Sequence, residues 1–300
     1  MFDRKDLLVN EKLIKAFLLS IFFFPIGAQS FLGGRTAIGE FPTLHLVFNE
    51  LQIAGKDFER DDSSCSGVLV SSRFLLTAAH CVQPPESPQR RFVFLAASDR
   101  QFDFEPAKIK AVYLTPERAA RISIQDKGVE DSLAPADLAI IELTEPSKYS
   151  VATVETRNIL KQGTNLVIGG FGLTSLHPTV EEKNNALSTF GRLHVAKHQF
   201  SNFDNGYFYV DSKASDGSGY SAIYYGDSGG PVYVVYSDGS LGVVGINAFM
   251  RKMPLSFLGF TLAQPQGAYT RLDDDSPSKT HFSTFLRDVL QGRAQALYQN

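Results

Sequence analysis

Cysteine is scarce: Cys65 and Cys81 are the only two in 300 residues. A structural zinc site built on them would need two further ligands at suitable spacing. His194 and His198 stand four apart, as ligands on one helix face would. The run 187–195 has the make-up of a strand, however, so no metal is expected. Charge of one sign is also missing. The formal net charge is -3, and no basic stripe interleaves with aromatics, so nothing points to nucleic acid. There is no nucleotide loop, no phosphate-binding glycine motif and no internal repeat, and no cofactor is expected. The longest apolar run, residues 16–28, falls short of the roughly 20 residues that span a bilayer.

What is present is an ordinary globular composition, 43% hydrophobic and 20% charged, with 24 glycines among many short apolar runs. That pattern favours a β-rich fold. The chain is long enough to bury a substantial core. Residues 1–30 stand apart. Arg4, Lys5, Lys12 and Lys15 outnumber the acids Asp3, Asp6 and Glu11, an apolar run follows, and Pro25 and Gly27 break it. Ala28-Gln29-Ser30 then puts small residues where a signal peptidase reads, so residues 1–30 are expected to be a secretory signal. In an exported chain, Cys65 and Cys81 are expected to form a disulfide. Closing a loop of that size stabilises by about 3 kcal/mol on the chain-entropy account.

Past residue 31 the apolar runs have strand character at 44–48, 67–70, 91–97, 166–172, 242–249 and 267–272. Residues 281–290 carry Phe282, Phe285, Leu286, Val289 and Leu290 at helical spacing. The charged stretch 115–136 is expected to be a surface insertion, and 153–161 a link between two halves. Within this frame Gly226-Asp227-Ser228-Gly229-Gly230-Pro231 is the most chemical stretch. A serine hydroxyl becomes nucleophilic when a base takes its proton and donors stabilise the oxyanion that forms. Flanking glycines let the backbone turn its amides to one point. The same residues fit G-x-S-x-G, but that elbow leads into a helix, and Pro231-Val232-Tyr233-Val234-Val235 favours a strand. His80 closes the apolar run 74–82 beside Cys81, whose disulfide would pin it. Asp137 opens another apolar run, where an acid at a surface strand start is the plain alternative. Asp131 is a rival in a polar, loop-like setting.

Together these stretches resemble the chymotrypsin family of secreted serine endopeptidases. The resemblance rests on Phe31-Leu32-Gly33-Gly34, Thr77-Ala78-Ala79-His80-Cys81, Asp137-Leu138-Ala139, Gly170-Phe171-Gly172, the Ser228 hexapeptide and Gly267-Ala268-Tyr269. The order His, Asp, Ser is that family's. It implies an all-β fold of two packed six-stranded antiparallel barrels with a C-terminal helix, residues 31–150 forming the first and 151–300 the second. It implies His80, Asp137 and Ser228 as the triad, with the amides of Gly226 and Ser228 as the oxyanion hole. It also implies an activation ion pair between the α-amine of Phe31 and Asp227. Ser30 precedes Phe31, so export itself is expected to create the active N-terminus.

The chain departs from the family pattern in several places. Phe31 stands where isoleucine is usual, Ala248 where a serine often supports the aspartate, and Phe249 where a tryptophan is common. No cysteine lies near Tyr225 or Gly267 to brace the specificity pocket. Ala222 occupies the place of the aspartate that selects basic side chains. Gly267 is expected to leave room at the pocket floor and Met250 to narrow its entrance, which predicts preference for an apolar or small residue. Expected partners are protein or peptide substrates and a protein inhibitor, with a monomeric mature form off the membrane. A non-catalytic homologue that binds partners is the competing expectation. An esterase on another fold is disfavoured by the triad order.

Overall fold

Alternating and continuous apolar runs of four to six residues form the barrel walls in the computed structural model. It describes residues 35–37, 39–48, 64–82, 92–97, 103–124, 137–172, 192–204, 206–211, 215, 223–257, 260–277 and 281–299. The expected signal at 1–30, Phe31, Asp131 and Ala222 lie outside the described residues. The first barrel comprises β2 (Leu44–Val47), β3 (Ser64–Leu69), β4 (Phe74–Thr77), β5 (Phe92–Ala97), β6 (Glu105–Leu114) and β7 (Ala139–Leu143). It runs in the order β6-β5-β2-β3-β4-β7 and closes by pairing β6 with β7. The second comprises β9 (Asn165–Gly170), β10 (His194–Asp204), β11 (Tyr207–Val210), β12 (Pro231–Val235), β13 (Leu241–Phe257) and β14 (Phe260–Arg271). It closes by pairing β9 with β10. Both are six-stranded and antiparallel, and residues 250–257 and 260–267 run on past the second barrel as a two-stranded hairpin.

The first and last described strands cross over between the barrels. β1 (Arg35–Thr36) pairs with β10 of the second barrel. After β14, α2 (Phe282–Leu290) lays Phe282, Phe285 and Val289 into an apolar cluster shared by the two barrels. β15 (Tyr298–Gln299) then pairs with β6 through Tyr298↔Val112. The last strand, far from β6 in sequence, thus joins the sheet of the first barrel. The segment after β7 is more than a link, because β8 (Thr153–Val154) adds a short parallel pairing to β13.

The expected surface insertion at 115–136 begins instead with a helix, α1 (Pro116–Ile124). Thr115 caps it: the Arg118 amide donates to Thr115 Oγ1 at 3.3 Å. Pro116 takes the first helical position, where a missing N–H does no harm. Arg118 is 1% exposed, one of the largest fully buried side chains among the described residues. A buried arginine is rare unless paired, and its partner is at the site.

Candidate active site

β4 runs into a single 3-10 turn, Ala79–Val82, which carries His80. Cys81 in that turn is bonded to Cys65 of β3, so the turn is tied covalently to the neighbouring strand. Asp137 lies just before β7, which pairs with β4 through Thr77↔Ala139. That register sets Asp137 beside the turn. Its Oδ1 accepts the His80 amide at 3.0 Å, and its Oδ2 lies 2.6 Å from His80 Nδ1. Asp137 is 0% exposed, so the plain reading of a surface strand start does not hold. A buried carboxylate against Nδ1 favours the tautomer with its proton there, which makes Nε2 the basic ring nitrogen. Thr270 of β14 donates to the Asp137 carbonyl at 3.2 Å, fixing the acid's backbone from the second barrel.

Ser228 belongs to the turn before β12. Its carbonyl accepts the Ser66 amide of β3 at 2.7 Å, and Cys81 Sγ lies 3.8 Å from the same oxygen. The serine backbone is thus laid against the residue that follows His80. The preceding residues form a β-turn, closed by the Asp227 amide donating to the Tyr224 carbonyl at 3.0 Å. Gly226 at its third position has φ 91°, the type II geometry that disfavours side chains. The Gly226 amide makes no hydrogen bond among the described residues. Gly229 has φ 80°, and a Cβ there would run into Thr77 Oγ1, the Ser66 carbonyl and the Ala78 amide.

Three supports of this turn lie outside the serine motif. Ser66, fully buried, donates its hydroxyl to the Gly226 carbonyl at 2.8 Å and accepts the Phe171 amide at 3.0 Å. Thr77 Oγ1 donates to the Ser66 carbonyl at 2.9 Å. Asn247 of β13 donates through Nδ2 to the Gly169 and Asp227 carbonyls, while its backbone bonds Gly229 and Gly230. A further unheralded group, at the acid and not at the turn, is Arg118, whose Nη2 lies 3.8 Å from Asp137 Oδ1. The Thr115-Pro116-Glu117 start signal announces its helix, but nothing local announces where the guanidinium ends.

The Asp227 carboxyl is 1% exposed and accepts the Gly172 and Tyr224 amides, each at 2.8 Å. Burial pushes it up to about 7, against the pull of those two bonds. Ala248 has no side chain to reach Asp137, and the strand shifts register between Asn247 and Phe249. Met250 pairs with Gly267 across the same ladder. The room expected at Gly267 is already filled, because the Tyr269 phenol occupies the place a Cβ would take. Burial, with Asp227 nearby, pushes the Tyr269 hydroxyl above its ordinary range. Cys65, His80 and Cys81 bring three ligand-type atoms close together, but both thiols are spent in the disulfide.

Two closed barrels with an aspartate–histidine pair and a glycine-flanked serine turn between them define a chymotrypsin-like fold. The chain belongs to the trypsin family: the family model described as Trypsin matches residues 50–255. It is similar to a cercarial protease of Schistosoma mansoni, 27% identical over 199 residues, which is 63% of this chain and 73% of that protein. In fold it is similar to the scabies mite inactivated protease paralogue S-D1. That likeness has a TM-score of 0.59 at 16% identity and covers 88% of this chain and 99% of the other.

Proposed function

We propose that the protein is a secreted serine endopeptidase. The observation that carries the reading is the buried Asp137 gripping His80 at 2.6 and 3.0 Å, beside the turn that holds Ser228. Ser228 Oγ attacks the scissile carbonyl while His80 takes its proton. The tetrahedral oxyanion is held by the amides of Gly226 and Ser228. Collapse expels the amine, which takes the proton back from His80 and leaves an acyl-enzyme. Water, deprotonated by His80, then attacks the ester and frees Ser228. Asp137 fixes the ring tautomer and stabilises the imidazolium.

A serine-directed phosphonate should label the protein, and Ser228→Ala should abolish both labelling and peptide hydrolysis. Absence of labelling in the unsubstituted, folded protein overturns the reading. It would favour the alternative of a non-catalytic homologue that binds partners, a reading kept open by Phe31, by the unbraced pocket and by the inactivated relative in the same fold. In the active reading, signal cleavage after Ser30 frees the Phe31 amine to pair with buried Asp227. Sequencing of the secreted chain should begin at Phe31; a start at Gln29 or earlier refutes this. Cleavage should follow apolar or small residues, because Ala222 brings no counter-charge and Tyr269 fills the space beside Gly267. The substrates are proteins or peptides, and a protein inhibitor acting on a monomer fits the same cleft. Among the described residues no helix is long and apolar enough to cross a membrane.

A further inference from the structure

We propose that Arg118 is a positioning residue for the His80–Asp137 pair, a fixed buried cation that anchors the carboxylate through the oxygen not bound to the imidazole ring. The inference rests on the triad reading above and extends it. Asp137 Oδ2 holds His80 Nδ1, whereas Oδ1 meets the His80 amide at 3.0 Å and Arg118 Nη2 at 3.8 Å. The two charged side chains are 1% and 0% exposed. At that distance and burial the attraction escapes the screening that weakens surface ion pairs. Ala248, on the strand beside the acid, offers no side-chain donor, so the guanidinium is the available second support.

Arg118 is placed by its helix. Thr115 caps α1 and Pro116 opens it, which puts Arg118 in the first turn. Side chains there slant back towards the helix start. The helix exists inside an insertion, and its buried cation faces the acid, not solvent.

A cation behind the carboxylate acts in two ways. It holds Asp137 in one orientation, so the imidazole is presented in one geometry. It also offsets the carboxylate's field at the ring, so His80 gives up its proton at a lower pH and serves as a base in more acidic surroundings. Several other ionisable groups described on the elements meeting here are committed elsewhere. Arg271 of β14 is bonded to Asp273 at 2.9 and 2.5 Å. Asp227 is held by two amides, and Tyr113 of β6 donates to Glu142. Glu117, the neighbour of Arg118, is the remaining acid on the helix, and Glu117→Gln serves as its control.

The test is the pH profile of kcat/KM for Arg118→Gln and Arg118→Lys, each first shown to be folded by circular dichroism. Arg118→Gln should move the acid limb up by about one pH unit, and lower kcat with KM little changed. Arg118→Lys should return the limb towards its original place, and Glu117→Gln should leave it there. A folded Arg118→Gln whose acid limb stays in place overturns the proposal, as does a limb moved equally by Arg118→Lys. If Arg118→Gln does not fold, Arg118→Met, which keeps the packing without the charge, takes its place, and the titration of His80 is followed by NMR in it and in the unsubstituted protein. A midpoint raised by the substitution supports the proposal; an unchanged one overturns it. The NMR readout does not require turnover. Failure of Ser228 to take the phosphonate therefore sinks the hydrolase reading without deciding the role of Arg118.

Discussion

Replacing Asp227 by asparagine tests whether a cation reaches that buried carboxylate. The side chain is 1% exposed, and its two oxygens accept the Gly172 and Tyr224 amides. Burial raises the carboxyl from its ordinary 3.8 to about 7. A group raised on folding stabilises the native state fully below its unfolded value. That contribution fades as pH climbs through the folded value, so the window runs from about pH 4 to about pH 7. Left alone, an ionised Asp227 would cost about 4 kcal/mol at neutral pH, at about 1.4 kcal/mol per factor of ten. An asparagine keeps the shape and removes the charge, but its NH2 meets one of the two amide donors, a loss of about 1–3 kcal/mol.

The two situations then diverge in sign. With no cation present, Asp227→Asn is neutral or more stable by about 1–3 kcal/mol at pH 7. With the Phe31 amine seated, the substitution strands a buried ammonium and destabilises by about 3–5 kcal/mol. The expectation is the second outcome, together with a collapse of activity. Urea unfolding of both proteins at pH 5 and pH 7 reads it directly. The unsubstituted protein should also keep its stability between those two values, because a paired carboxylate stays ionised through the window. An Asp227→Asn variant as stable as its parent at pH 7 would refute the buried pair.

Other perturbations probe the surroundings of the turn. Ser66→Ala leaves the Gly226 carbonyl and the Phe171 amide without their hydroxyl partner. It should lower stability by about 2 kcal/mol and lower kcat, read by thermal melts and peptide turnover; unchanged values refute the clamp. Removing Cys65 and Cys81 together as serines opens a loop of sequence separation 16. It should lower stability by about 3 kcal/mol, and a loss under about 1 kcal/mol in urea titrations would show that pairing of β3 with β4 already fixes the His80 turn. The Tyr269 hydroxyl is buried with no hydrogen-bond partner among the described residues. Tyr269→Phe should therefore be neutral or stabilising by about 1 kcal/mol, and a clear loss of melting temperature counts against that.

The residues legible in the sequence are those whose chemistry is compressed into a few neighbours. His80 beside a cysteine and Ser228 among glycines stand out locally, whereas Asp137 ahead of an apolar run reads by itself as a strand start and joins them only through the order His, Asp, Ser. The barrels follow from short apolar runs, because a strand's burial is written along its own length. The crossing of the first and last described strands is not written locally, since β1 and β15 are two residues each and depend wholly on their partners. Arg118 was hidden for the same reason. Its charge suggests solvent, and only the approach of the guanidinium to Asp137 makes burial the better place.

Even the glycines of the motif have a reason that the motif does not state. Gly229 is required both by its φ of 80° and because Thr77, Ser66 and Ala78 of the other barrel occupy the volume a side chain would need. Ser66 then reaches from that barrel to the Gly226 carbonyl and the Ser228 carbonyl together. The geometry of the serine turn is therefore set across the barrel interface, by residues more than a hundred positions away. A change at Ser66 or Thr77 should disturb the turn as much as a change in its own glycines, because each removes one side of the same contact.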